Sequence, residues 1–189
     1  MERIERAMIF AAEAHDGQKR KGKNRSYVLH LMEAAVTVSM MTDDEDVIIA
    51  ALLHDTLEDT NTTAGQILER FGERVAALVG AESEDKREDR PRGETWRIRK
   101  EEALQTLKAA PREAKLVALG DKLSNVREMA RDHKRIGEAV WDQFNQKDKS
   151  QHEWYYRSML AILAEEFPDA PAVQELGSLI DGLFASTHK

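Results

Sequence analysis

The chain has 189 residues, 41% hydrophobic and 33% charged, with four prolines, ten glycines and no cysteine. That balance describes one globular domain with a sizeable core and excludes disulfides, thiolate metal sites and low-complexity disorder. A formal charge of −7 argues against a broad nucleic-acid surface; with no bilayer-length apolar run and no secretory leader, a cytoplasmic protein that binds neither nucleic acid nor membrane is expected.

Residues 2–16 place Ile4, Met8, Ala11 and Ala12 at helical spacing before Gly17, which predicts a first helix with those four inward. Residues 19–25, KRKGKNR, carry five Lys or Arg in seven positions and read as a basic loop. Most such runs are simply solvated; this one lies directly before a histidine-bearing helix. That second helix, 29–41, should turn Met32, Ala35, Val36 and Met40 inward. Asp43 or Asp44 caps a third, which runs through the apolar stretch VIIAALL into HDTLED, residues 54–59. Asn61-Thr62-Thr63 starts a short helix through Phe71; Gly72 breaks it and 73–81 resume. The most polar segment, SEDKREDRPRG at 83–93, reads as a loop. Helices at 94–109 and 112–131 are divided by Ala110-Pro111, and two more near 151–166 and 171–184 by Pro168 and Pro171. The expectation is an all-α bundle of about eight to ten helices forming a single domain over 1–189.

HDTLED concentrates four ionisable groups at the exit of a core helix. Residues four apart share a helix face at about 6 Å, which pairs His54 with Glu58 and Asp55 with Asp59. His54 and Asp55 point roughly 100° apart, so both can lean toward one ion off the helix end. Imidazole with carboxylate suits a divalent metal such as manganese, iron or zinc, with Glu58 and Asp59 one turn beyond, near a bound water. A polar helix end with a satisfied histidine is the competing reading, and two ligands alone hold a metal poorly.

Two further ligands are on offer. His30 opens the second helix in SYVLHLMEAA, where a lone histidine is more often a cap or a surface residue. Asp121 follows Leu116–Gly120, which is apolar or small on every side, so its carboxylate sits at the edge of the interior and needs a partner. The alternative is that Gly120 ends the helix and Asp121 caps the next.

Taken together, the order H…HD…D resembles the HD phosphohydrolases. The chain is similar to the hydrolase domain of the Rel/SpoT alarmone enzymes, and especially to small alarmone hydrolases. AAEAHDGQKRKGKNRSYVLHLMEAA, AALLHDTLEDTNTTAGQILERFGERVAALV, EDKRE, WRIRK and AKLVALGDKLSNVREM carry the resemblance in family order. The resemblance implies an all-α HD domain whose metal ligands are His30, His54, Asp55 and Asp121, with one divalent ion per chain, manganese being usual. It implies that Glu58 and Asp59 position and activate the attacking water. It places Arg20 and Lys21 on the nucleotide base and phosphate, matches Tyr27 to the tyrosine three residues before the first histidine, and puts Asn125 on the nucleoside.

The chain departs from the family pattern at SYVLHL, where the family commonly reads PYxxHP, and at Gly120, where alanine is usual. No catalytic group is lost. A synthetase domain has no room in 189 residues, so hydrolysis without synthesis is expected. The implied activity is removal of the 3′-diphosphate, as pyrophosphate, from guanosine tetra- or pentaphosphate. An adenosine 3′-diphosphate alarmone or another nucleotide such as NADPH is the alternative substrate; a catalytically silent nucleotide-binding module is the alternative of another class. Residue spacing leaves the oligomeric state open, a homodimer included.

Overall fold

The computed structural model describes residues 2–81 and 92–185. The described residues form ten α-helices and one 3-10 helix, with no strand among them beyond a single antiparallel bridge between Lys19 and Ser26. The all-α expectation holds. Residues 82–91, most of the expected polar loop, lie outside the described residues. The chain divides into two compact units, residues 1–84 with 110–124, and residues 85–109 with 125–189.

The first unit is built around α3 (Glu45–Leu53). Every residue from Val47 to Leu53 is buried, as an all-round apolar sequence requires. Against it pack α1 (Arg3–Ala14), α2 (Val28–Ser39) and α6 (Glu73–Ala81). Asp44 caps α3 by accepting the Asp46 backbone N–H at 3.1 Å. Arg3 clamps the same end through Glu45 at 2.8 Å and Asp46 at 2.7 Å. Beyond α3 come the single turn α4 (Thr56–Asp59) and α5 (Ala64–Phe71), which Thr63 and Gln66 open with a reciprocal capping box. Gly72 ends α5 at φ 93°, a left-handed conformation that favours glycine.

Two inward faces differ from the expected ones. In α1 the buried residues are Ala7, Phe10 and Ala11, while Met8 and Ala12 are exposed and Ile4 is only half-buried. In α2 they are His30, Leu31, Ala34, Ala35, Thr37 and Val38, while Val36 and Met40 face outward and Met32 is half-buried. Each helix carries more than one apolar stripe, and the packing partners choose between them.

The helix α8 (Arg112–Ile136) runs unbroken through Gly120 and five residues past its expected end. The expected continuous helix through Gly120 is therefore present, and the alternative in which Gly120 ends it is excluded. Its first half belongs to the first unit, where Gly120 faces Ala34 and Val38 of α2; a β-carbon at position 120 would lie 2.7 Å from the Ala34 carbonyl oxygen and 2.9 Å from Val38 Cγ2. The missing side chain is what allows this approach.

The second unit contains α7 (Arg92–Ala109), the rest of α8, a 3-10 helix (Gly137–Gln143), α9 (Lys149–Glu166) and α10 (Pro171–Phe184). Trp141 stacks on Phe184 at 5.3 Å, and buried His152 sits among Trp96, Trp141 and Phe144, its Nε2 2.8 Å from the Gln146 carbonyl. Arg97 lies 3.3 Å over the Trp154 ring. None of the described helices is long and apolar enough to cross a membrane.

Candidate metal and hydrolytic centre

His30, His54 and Asp121 offer ligand atoms that all lie within 4.8 Å of one another, and all three residues are buried. Asp55 joins them. His54 Nε2 is 3.1 Å from Asp55 Oδ2 and 3.5 Å from Asp121 Oδ1. His30 Nε2 is 3.1 Å from Asp121 Oδ1 and 3.5 Å from Asp55 Oδ2. Three separated stretches of sequence converge on one point: the first turn of α2, the His54-Asp55 pair between α3 and α4, and the middle of α8.

The far side of each imidazole is already committed. His54 Nδ1 lies 2.8 Å from the Ala51 carbonyl, which can only accept, so the proton is on Nδ1. His30 Nδ1 lies 2.9 Å from Ser124 Oγ, whose own proton goes to Glu33 Oε2 at 2.7 Å. The serine oxygen thus accepts from Nδ1–H. Both histidines turn Nε2 to the centre of the cluster, and both Nε2 atoms are buried without a hydrogen-bond partner. Two orphaned nitrogens facing two carboxylates form a donor set suited to a divalent cation, completed by partners that fix each ring's tautomer. The residues fit the metal that the sequence implies.

The electrostatics agree. Burial alone would lower the His54 pKa, but Asp55 and Asp121 together hold it well above 6.5. Burial alone would raise Asp55 and Asp121; the histidines, and Lys122 in the case of Asp121, keep both well below the ordinary carboxylate value of 3.8. Lys122 pairs directly with Asp121. A concentrated pair of anions is thereby kept ionised at a buried site, ready for a cation.

The other expected site residues fall as follows. Tyr27 donates its hydroxyl to Asp55 Oδ2 at 2.7 Å, and Asp59 Oδ2 is 3.2 Å away. Burial, then the charge of Asp55, raises the phenol's pKa and keeps it neutral. Asp59 ends α4, exposed, and Glu58 beside it is half-buried. The basic loop is a tight turn, with Arg20 N–H donating to the Arg25 carbonyl at 2.9 Å and Gly22 at φ 73°. Its Arg20 guanidinium lies 5.3 Å from the centre of the Tyr27 ring, while Lys21 is exposed. Asn125 follows one turn after Asp121 on α8, in the part of that helix belonging to the second unit.

Sequence reasoning missed His15, Glu33 and Ser124. Glu33 and Ser124 each lie three residues beyond a proposed ligand, His30 and Asp121, a helical spacing that signals a shared face. Nothing local marks His15, which meets Tyr27 across the basic loop.

The model of the HD domain family matches residues 7–148. The chain belongs to the HD-domain family. Among curated relatives, it is 40% identical over 128 residues to guanosine-3′,5′-bis(diphosphate) 3′-pyrophosphohydrolase MESH1 of Xenopus tropicalis, covering 66% of this chain and 68% of that protein. It is 54% identical over 78 residues to the guanosine-3′,5′-bis(diphosphate) 3′-pyrophosphohydrolase of Aquifex aeolicus, covering 41% of this chain and only 11% of that longer protein. Among solved structures, this HD domain resembles a metazoan orthologue of SpoT described as hydrolysing ppGpp, with a TM-score of 0.76, 24% identity and 97% of both chains covered. That likeness is one of fold. A Listeria monocytogenes protein gives a TM-score of 0.71 at 26% identity, over 82% of this chain and 98% of its own.

Proposed function

We propose that this HD domain is a metal-dependent hydrolase that removes the 3′-diphosphate of guanosine tetra- or pentaphosphate as pyrophosphate. The observation that carries the proposal is the convergence of His30, His54, Asp55 and Asp121 with both Nε2 atoms turned inward. The similarity to enzymes named for this reaction supports the choice of substrate. The reaction adds a hydroxyl from water to the departing diphosphate and a proton to the ribose 3′-oxygen.

In this reading His30, His54, Asp55 and Asp121 hold one divalent ion, manganese by family habit. Such an ion acidifies water and neutralises charge developing on a phosphoryl group. Glu58 and Asp59 orient the attacking water and take its proton, the work of a general base. Arg20 and Lys21 supply cationic contacts to a ligand bearing several phosphates, and the planar Arg20 guanidinium can also lie against a purine. Asn125 completes the proposed substrate-contacting set, in which the family resemblance also counts Tyr27. The family match takes in residues of both units, which supports reading 1–189 as one HD phosphohydrolase domain; its place of work in this reading is the cytoplasm.

The test is product analysis. Purified protein with manganese is incubated separately with guanosine tetraphosphate, its adenosine counterpart and NADPH, and the products are resolved by anion-exchange chromatography. Pyrophosphate with guanosine diphosphate from the first is the expected result. Orthophosphate from NADPH alone would replace this reading with a nucleotide phosphatase; no product from any would leave a binding module.

A further inference from the structure

Tyr27 was matched to the family by position alone, as a substrate contact. Its surroundings argue for a different task. One hydroxyl faces two like-charged carboxylates, Asp55 Oδ2 at 2.7 Å and Asp59 Oδ2 at 3.2 Å. These belong to different parts of the proposed machinery: Asp55 would hold the ion, and Asp59 would handle the water. They sit at either end of the single turn α4, and Asp59 is exposed.

The ring that carries the hydroxyl is held from elsewhere. The Tyr27 backbone N–H donates to the Gln18 carbonyl at 3.0 Å. Its ring stacks on His15, with centroids 5.0 Å apart and planes 13° apart. His15 is only 2% exposed, and its Nδ1–H donates to Gln18 Oε1 at 2.6 Å. Gln18 in turn donates its backbone N–H to the His15 carbonyl at 3.0 Å. His15, Gln18 and the backbone between them thus form a closed frame at the end of α1, and the phenol projects from that frame onto α4.

We propose that Tyr27 is a positioning residue, which uses the frame of His15 and Gln18 to hold Asp55 and Asp59 at a fixed separation. The hydroxyl's proton is committed to a carboxylate, so its effect on the reaction passes through the two acids. The inference rests on the roles given above to Asp55 and Asp59.

Tyr27→Phe keeps the ring and removes the hydroxyl. Partners that orient metal ligands typically contribute 10–100-fold to metal affinity or activity. Calorimetric titration with manganese should therefore show affinity for the ion reduced about tenfold, and kcat on guanosine tetraphosphate should fall about 10–100-fold with KM within about twofold. Melting of the metal-free protein should move little, since no packing is lost. His15→Ala removes the stack and should reproduce part of both losses, while His15→Phe, which restores a ring, should recover most of them. A raised KM with kcat and manganese affinity unchanged would make Tyr27 a substrate contact and overturn the proposal. So would a lowered metal-free melting temperature with neither quantity changed. If the wild type releases no pyrophosphate, the functional reading fails, yet the manganese titration of Tyr27→Phe still decides whether the hydroxyl positions the site.

Discussion

Gly120 of α8 lies against the backbone of Ala34 in α2, so closely that a β-carbon there would stand 2.7 Å from the Ala34 carbonyl oxygen. Asp121 is the next residue, so this contact sets how deep the carboxylate reaches toward His30 and His54. By helix propensity alone, Gly120→Ala should stabilise the protein by about 1 kcal/mol. The packing reverses the sign, because the obstacle is backbone and cannot swing away. Overpacking of this kind costs about 1–3 kcal/mol. The variant should melt below the wild type and bind manganese more weakly. A higher melting temperature would show that the helices separate at no cost.

Asp121→Ala or Asp55→Ala should abolish both hydrolysis and tight manganese binding. Each removes one of the two anionic donors in a set of four, and the single carboxylate left beside two neutral histidines supplies only half the charge of a divalent ion. A bound metal stabilises the fold by mass action, so the variants' melting temperatures should no longer rise with added manganese. One tightly bound ion per chain in the Asp121 variant would refute the four-ligand assignment.

Manganese affinity should increase with pH. The metal requires neutral His54, whereas Asp55 and Asp121 hold that imidazole well above 6.5 in the metal-free protein despite its burial. Proton and metal therefore compete for Nε2, and binding near neutral pH should release protons. The metal-free fold has the opposite slope: a raised histidine pKa contributes stability that is fully present below the unfolded value of about 6.5 and is lost as pH climbs through the raised one. Asp55 and Asp121, both depressed, stay ionised over this window. Calorimetry at about pH 6 and about pH 8, in buffers of differing ionisation enthalpy, measures this linkage. Equal affinities with no proton release would contradict it.

Glu58→Gln combined with Asp59→Asn should retain the ion and the substrate while losing turnover. The amides keep size but remove the basic oxygens, and a general base typically contributes 10²–10⁴-fold, here expected in kcat rather than KM. Undiminished kcat in steady-state assays would reduce the pair to solvated acids.

Arg20→Ala should raise KM strongly, because a net acidic protein needs a local cation to attract a polyphosphate. Arg20→Lys should recover only part, since lysine keeps the charge without the planar face that lies over Tyr27. Lys23→Ala, further along the turn, should do little. Exposed charges are screened beyond about 8 Å at physiological ionic strength, so added salt should weaken substrate binding more in the wild type than in Arg20→Ala. Unchanged KM and equal salt sensitivity would assign phosphate recognition to another residue, such as Lys122 or Arg127.

The helical architecture was legible in the residues themselves, whereas the candidate metal set came from the family resemblance. The apolar run before HDTLED had to be a core helix, and its polar end had to meet the site. Residue type at a helix start and expected burial made His30 and Asp121 candidates; the family resemblance joined them to His54 and Asp55, and the structure brings all four together. Caps at Asp44 and Thr63 and the stop at Gly72 were equally local. Which stripe of α1 or α2 turns inward was not, since Met8, Val36 and Met40 are as apolar as the residues buried instead. Nor was the place of Gly120, which reads locally as a break and proves to be the close approach of two helices. The His15–Tyr27 frame and the His30–Ser124–Glu33 relay likewise needed the folded chain. Helix formation is settled by hydrogen bonds reaching four residues along the chain, whereas the choice of buried face depends on which distant surface can approach, and only the packed structure decides that.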